Sequence, residues 1–354
     1  MRLTKLRNQM KLLEVDAILV LDELNQHYLS EFAFTDGLLF ITMNKAYLVT
    51  DFRYYEMALG KANKAFEVIT PDNRKEFLNN VISEEGIKTI GFEGGFVSYE
   101  TYRSYCENYP CEFVNICDTI EVIRQIKSND EIEKMQKAQD ITDNALASLL
   151  KIITPEMTEL DVAVELEYAM RKGGADSFAF DTIAVSGDAS ALPHGTPRNV
   201  KLKKGFLTMD FGARYDGYCA DMTRTIVIGK ADDEIKKLYN TVLKAQTEAL
   251  NYLREGADCG EADKIARDII DAVPEYKGAF GHSLGHSVGL FIHESPRLYS
   301  RGFGRKLNAG EILTVEPGIY LFGKYGCRIE DMVAVTKDGI HNFTHSPKEL
   351  IEIL

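Results

Sequence analysis

The chain has 354 residues, 45% of them hydrophobic, and a formal charge of −13. Such a length exceeds the usual size of one core, so two domains are expected, and the apolar content excludes a mostly disordered polypeptide. The negative charge disfavours nucleic acid or an anionic membrane as partner, because a phosphate-rich surface would be repelled.

The N-terminus is basic from Met1 to Arg7, but Glu14 and Asp16 interrupt the apolar stretch that follows and no small-residue cleavage site comes after it, so no signal peptide is expected. No segment reaches the roughly 18 consecutive apolar residues of a membrane span, which predicts a soluble, cytoplasmic protein. The six cysteines lack the paired spacing of a zinc ribbon or redox motif and read as free, buried, reduced thiols. Cys106, Cys111 and Cys117 cluster, but no histidine stands near them to complete a tetrahedral site.

In chain order, Leu3 to Leu13 reads as a helix, Ala17 to Leu21, Gly37 to Thr42 and Ala46 to Thr50 as strands, and Phe52 to Leu59 as a helix. Thr89 to Phe92 and Phe113 to Asn115 are short strands between helical stretches, which gives an α/β domain over residues 1–122. Its glycines Gly91, Gly94 and Gly95 lack the context of a phosphate-binding loop. A charged connecting stretch from Glu121 to Asn129 leads into the second domain, residues 123–354. There Ile132, Met135, Ala138, Ile141, Ala145 and Leu149 recur at helical spacing. Thr158 and Asp161 form a capping box for a helix through Met170, ended by Gly173 and Gly174. Strands are expected at Thr182 to Val185, Gly205 to Phe211 and Cys219 to Ile228. Beyond Gly229 the order restarts with helices from Asp233 to Leu253 and Glu261 to Ile270, then strands at Ile312 to Val315 and Arg328 to Val335, which suggests an internal structural repeat.

Five candidate metal ligands follow one another in this half: Asp210, Asp221, His286, Glu316 and Glu330. Acids within apolar strands are costly unless paired or metal-bound. The bland alternative is an arginine beside each, with Arg224 and Arg328 available; for all four acids together it is the weaker reading. The Asp-Gly step between Asp210 and Asp221 signals a hairpin, and a register pairing Asp210 with Asp221 and Arg214 with Gly217 would bring both carboxylates to one face. Three of seven histidines, His282, His286 and His293, crowd into one glycine-rich segment. His194 follows Leu192-Pro193, and His27, His341 and His345 read as ordinary surface or core residues. Two divalent ions sharing carboxylates in such an oxygen-rich set would bind and activate a water.

Together these segments resemble the pita-bread metallopeptidases that include Xaa-Pro aminopeptidase, Xaa-Pro dipeptidase (prolidase) and methionine aminopeptidase. The resemblance covers the second domain from about Glu131 to Leu354. The α/β domain, with Thr50-Asp51-Phe52-Arg53-Tyr54, resembles the N-terminal domain of the proline-specific branch. The resemblance implies an α/β domain followed by an α+β, creatinase/aminopeptidase-like catalytic domain. It makes Asp210 a ligand of one metal, Asp221 and Glu330 bridging ligands, and His286 and Glu316 ligands of the other metal. It also places His194 and His293 at the scissile bond, His282 toward the residue after it, and Tyr320 and Arg328 in support. Arg297 and Arg328 are candidates for holding a substrate carboxylate, Arg297 reading equally well as a surface ion-pair former. The segment Ser177 to Gly187 resembles the lining of the substrate pocket, with Ala184-Val185-Ser186 where relatives often carry Val-Ala-Ser.

The expected function is therefore a Xaa-Pro exopeptidase, of aminopeptidase P or prolidase type, that acts on small peptides with proline second. A metal-activated hydroxide attacks the carbonyl before proline and Glu316 takes the water's proton. Two ions per chain are expected, manganese first, with Co²⁺, Fe²⁺ and Zn²⁺ admitted by the histidine. A homodimer is implied by the resemblance alone. A di-metal aminopeptidase of other specificity and a non-catalytic peptide-binding module are the competing readings.

Overall fold

A computed structural model describes residues 2–299 and 301–354, which divide into two compact units, one ending at Arg124 and one beginning at Gln125. In the first, a six-stranded sheet runs in the order Glu67–Ile69, Ala46–Val49, Leu38–Thr42, Ala17–Val20, Thr89–Phe92, Glu112–Asn115. Ala17–Val20 pairs antiparallel with Leu38–Thr42 and parallel with Thr89–Phe92. Every residue of Ala17–Val20 is buried, as an unbroken apolar run in a central strand requires. Helices flanking the strands open on Asp22, Asp51, Asn73 and Ser98, whose side chains each accept a first-turn N–H.

The stretch read as a charged connector is instead partly helical: Thr119–Gln125 folds because Ile120 and Ile123 bury one side of it. The cysteine expectation is corrected for three residues. Cys106 and Cys117 are exposed and Cys111 is half-buried, while Cys219, Cys259 and Cys327 are buried; none of the six is in a disulfide.

The second unit has the expected repeat. Helices Asn129–Leu149 and Glu159–Lys172 precede three antiparallel strands, Ile183–Ser186, Gly205–Phe211 and Met222–Ile228. Helices Asp233–Tyr252 and Cys259–Asp271 precede another antiparallel set, Gly285–Ser287, Ile312–Val315 and Asp331–Val335. Thr158 and Asp161 form their capping box, with Asp161 N–H donating to the threonine hydroxyl and both Thr158 N–H and Oγ1 donating to the Asp161 carboxylate.

Alternation along Gly205–Phe211 decides where the site lies. Leu207, Met209 and Phe211 join the core beneath the first pair of helices. Phe206, Thr208 and Asp210 point the other way, toward the second half, where Phe206 joins the other core. Thr225 Oγ1 donates to the Arg328 carbonyl at 2.8 Å and Glu330 N–H to the Thr223 carbonyl at 3.1 Å, so the two halves are stitched along this face.

The hairpin is real, but its register differs from expectation. Asp210 pairs with Thr223 and Arg214 with Cys219, not with Asp221 and Gly217. The turn pair is Asp216-Gly217, with φ of 46° and 83°, so the Asp-Gly step itself occupies both left-handed positions. The difference is two residues on one strand, which preserves the face of every side chain. Gly212 has no room for a side chain, since a Cβ there would lie 1.9 Å from the Ala220 carbonyl oxygen.

Candidate metal centre

Each candidate ligand sits in or immediately beside one of the repeated strands. Asp210 lies in Gly205–Phe211, Asp221 directly precedes Met222–Ile228, and His286 is central in Gly285–Ser287. Glu316 directly follows Ile312–Val315 and Glu330 directly precedes Asp331–Val335. Asp221 and Glu330 thus hold equivalent positions in the two halves.

All five line one cavity of about 470 Å³, together with His194, His282, His293, Arg297 and Arg328. Asp221, His286 and Glu330 are buried and offer ligand atoms within 4.8 Å of one another. His286 Nε2 is 3.5 Å from Asp221 Oδ2 and 3.4 Å from Glu316 Oε1. Thr314 Oγ1 supports this convergence by accepting the His286 backbone N–H at 3.1 Å and donating to Glu316 Oε1 at 3.4 Å. The His286 Nδ1 atom is 3.2 Å from the Ser287 carbonyl oxygen, a contact that puts the proton on Nδ1 and leaves Nε2 as the ligand atom.

Electrostatics test whether these residues suit a cation. Burial first, then the charges of Glu330, Asp210 and Glu316, push the Asp221 carboxyl well above its ordinary range. Burial and the neighbouring Glu316 and Asp210 do the same to Glu330. Glu316 is pushed up to about 8, by burial and Asp210 against the opposing pull of Arg328. His286 is pushed down to about 3, by burial and then His293, so its imidazole is neutral as ligation needs. Asp210 Oδ1 is buried without a hydrogen-bond partner. A cation placed among these atoms removes the repulsion and satisfies the orphaned oxygen, and the donor set of carboxylates with one imidazole fits a divalent ion.

The arginine alternative holds for one acid. Arg328 Nη2 lies 2.6 Å from Asp210 Oδ2. Arg224 is committed elsewhere, to Asp331 at 2.8 Å, and among the described residues Asp221, Glu316 and Glu330 have no arginine or lysine partner. Arg328 also donates to Tyr320 Oη at 2.7 Å and to the Pro193 carbonyl at 3.3 Å. Tyr320 Oη in turn lies 2.9 Å from His282 Nε2, so Tyr320 stands behind the cavity wall and links two residues that line it. Burial and then Arg328 push His282 down to about 4; burial and then Arg297 lower His293. His341 lies outside this constellation, 3.1 Å from Gln136 Oε1 at an exposed site.

Two residues that sequence reasoning passed over organise the cavity wall. The fully buried Glu159 carboxylate accepts from Ser186 N–H and Oγ at 2.8 Å each and from Arg198 Nε at 2.8 Å and its N–H at 3.1 Å. It therefore ties both feet of the loop that presents Pro193 and His194. Burial alone would raise its pKa, but the bonds from Arg198 and Ser186 outweigh that and hold it below its ordinary value. An acid in the first turn of a helix needs no other explanation, which is why Glu159 carried no functional signal. Thr223 is the second, donating to Glu330 Oε2 at 2.7 Å.

Residues 133–337 match the model of metallopeptidase family M24, and residues 2–126 match the creatinase/prolidase N-terminal domain. An uncharacterized peptidase of Bacillus subtilis is 41% identical over 354 residues, which is 99% of each chain. Among solved structures, the Xaa-Pro dipeptidase from Bacillus anthracis is 40% identical and superposes with a TM-score of 0.94 over 99% of each chain. The X-Pro aminopeptidase from Thermotoga maritima is 35% identical, with a TM-score of 0.92 over 98% of this chain and 100% of its own. The antiparallel strand triplets under paired helices are the pita-bread fold, preceded by the α/β domain. The chain belongs to metallopeptidase family M24.

Proposed function

We propose that this protein is an Xaa-Pro dipeptidase, a metallo-exopeptidase that cleaves the bond before a C-terminal proline. Its relatives' activities support the Xaa-Pro class, and Arg297 supports the dipeptidase type. Arg297 lines the cavity, and among the described residues it has no acidic partner. It stands opposite His286 in the strand register, so the two side chains share a face. An unpaired guanidinium beside the candidate ligands suits the carboxylate of a two-residue substrate, which it can grip through two parallel hydrogen bonds. The cavity volume is also in the range of small-ligand sites.

Asp210, Asp221, His286, Glu316 and Glu330, which line one cavity, would hold two divalent ions. The ions would supply Lewis acidity and a water of lowered pKa. Glu316 takes the proton of the attacking water. His293, whose pKa partial burial and then Arg297 lower, would donate to the oxygen on which negative charge develops, and His194 would orient the proline side of the bond. His282, held by Tyr320, borders the space for the residue after the scissile bond. The oxygen-rich donors favour manganese. Resemblance to the family supports a homodimer, for which sedimentation showing only monomer is the contrary result. No helix among the described residues is long and apolar enough to cross a membrane, and a cytoplasmic location is part of the proposal.

The test compares hydrolysis of Ala-Pro, Ala-Pro-Ala and Ala-Ala-Ala by Mn²⁺-loaded protein, with Asp221→Ala as the inactive control. Ala-Pro should be preferred, and Arg297→Gln should raise its KM by about thirtyfold or more, corresponding to a lost charge-assisted contact of about 2 kcal/mol. Preference for the tripeptide would replace the dipeptidase reading with an aminopeptidase. Absence of metal-dependent cleavage of both proline peptides would sink the proline-specific reading.

A further inference from the structure

His293 lines the cavity, yet among the described residues its ring has no hydrogen-bond partner. Two rings stand T-shaped to it, His286 at 4.5 Å between centroids and Phe291 at 6.3 Å. Its position therefore depends on the backbone that carries it, the bend between Ser287 and Glu294. These two residues face each other in the strand register, just past an irregularity between His286 and Ser287. One ammonium group lies between their side chains. Lys127 Nζ is 3.2 Å from Ser287 Oγ and 3.2 Å from Glu294 Oε2, and its side chain is 1% exposed.

A lysine buried this deeply is costly unless its charge is met, so its geometry is held by the partners that meet it. The rest of the arrangement fits around that charge. The other Glu294 oxygen accepts Phe291 N–H at 3.2 Å, which folds the bend back on its own foot. Gly289 leaves the space that the carboxylate fills, since a Cβ there would meet Glu294 Oε2 at 2.6 Å. On the other side, Lys127 N–H donates to the Gly310 carbonyl at 2.9 Å. The next residue, Ser128, is fixed as its N–H donates to Glu131 Oε2 at 3.0 Å. The lysine is thus clamped by its main chain before its side chain reaches the bend.

We propose that Lys127 is a positioning residue: its buried ammonium, by tying Ser287 to Glu294, sets the place of the His293 imidazole in the cavity. The role assigned to His293 in the chemistry rests on the Xaa-Pro reading above; the placement of its ring does not.

The experiment uses the full chain loaded with Mn²⁺ for kinetics and with Zn²⁺, which is diamagnetic, for side-chain NMR of the histidines. Lys127→Met should lower kcat for Ala-Pro at least tenfold with a smaller change in KM, and should shift or broaden the His293 ring signal while leaving that of His194 in place. In a His293→Ala background the same substitution should cost less than twofold, because the residue through which it acts is gone. A merely structural role would lower activity by the same factor in both backgrounds and leave the His293 signal unmoved, and that result overturns the proposal. If Lys127→Met fails to fold, Lys127→Met/Glu294→Gln removes both buried charges together and is read by the same two measurements. If the wild-type protein cleaves neither proline peptide, the kinetic arm fails with the Xaa-Pro reading, and the NMR arm alone decides the placement.

Discussion

Thr223 Oγ1 donates a hydrogen bond of 2.7 Å to Glu330 Oε2 and accepts one of 2.9 Å from Arg328 Nε, so a single hydroxyl in the first half holds an acid and a base of the second. Thr223→Val keeps the shape and removes both bonds, leaving a buried Nε–H without its acceptor. A stability loss of about 1–3 kcal/mol is expected. Metal affinity should fall about 10–100-fold, as for other groups that orient a ligand. Calorimetric Mn²⁺ titration and thermal melting check both, with Thr223→Ser restoring most of each. Unchanged affinity in the valine variant would remove Thr223 from the account of the site.

Above about pH 6.5, where His282, His286 and His293 are neutral in the folded and the unfolded chain alike, the chelated protein should lose stability as pH rises. Asp221, Glu316 and Glu330 have folded pKa values above their ordinary 3.8 to 4.5, with Glu316 at about 8. The folded chain then keeps protons that the unfolded chain has already released. This contribution is therefore fully present below about pH 4 and is lost as pH climbs toward 8. Metal binding reverses the sign, because the ion replaces those protons and binds more tightly as they leave. The gap in melting temperature between Mn²⁺-loaded and EDTA-treated protein should widen from about pH 5 to about pH 8. A constant gap would contradict the raised values.

Glu159→Gln should loosen the loop that carries His194. The amide can accept from Ser186, but its NH₂ then faces the Arg198 donors, so one foot is released. Arg198 is partly exposed, with a side chain 40% accessible, and solvent relieves some of the cost. A loss of about 1–2 kcal/mol is expected, with new proteolytic cleavage between Ser186 and Arg198 and normal metal content. Protection equal to the wild type would show that the loop holds without the clasp.

Gly212→Ala addresses the hairpin between Asp210 and Asp221. The added methyl would overlap the Ala220 carbonyl, 1.9 Å away, so the strands must part where they carry the two acids. Destabilisation of about 3 kcal/mol or more is expected, together with substoichiometric metal by elemental analysis. A stable variant with full metal content would mean that the hairpin accommodates the change by bending outward.

How much of this was legible beforehand depended on the kind of signal. Ile312–Val315 and Gly205–Phe211 were readable as strands because uninterrupted apolar runs must be buried, and the capping box at Thr158 because it is a local exchange of hydrogen bonds. Four of the five candidate ligands stood out as acids where acids are costly, and His286 as one of three histidines crowded into a glycine-rich segment. Register was less accessible: Tyr215-Asp216 and Asp216-Gly217 would each make a two-residue turn, and only the preference for left-handed backbone at Asp and Gly separates them. Short strands such as Ser177–Phe178 and Gly285–Ser287 have no periodicity of their own and exist because a neighbour pairs with them. Lys127 and Glu159 were invisible for a related reason. A single charge in a connector or a first helical turn looks solvated until the fold reveals which distant groups surround it.

The equivalent placement of acids in the two halves bears on when the protein can acquire a metal. A growing chain that has reached only Ile228 offers two carboxylates on one hairpin, whereas His286, Glu316 and Glu330 belong to strands synthesised later. The first sheet is itself incomplete at that stage, because Glu352–Ile353 pairs alongside Val227 and Ile228. The full set of five candidate ligands thus exists only once the two halves have closed on each other.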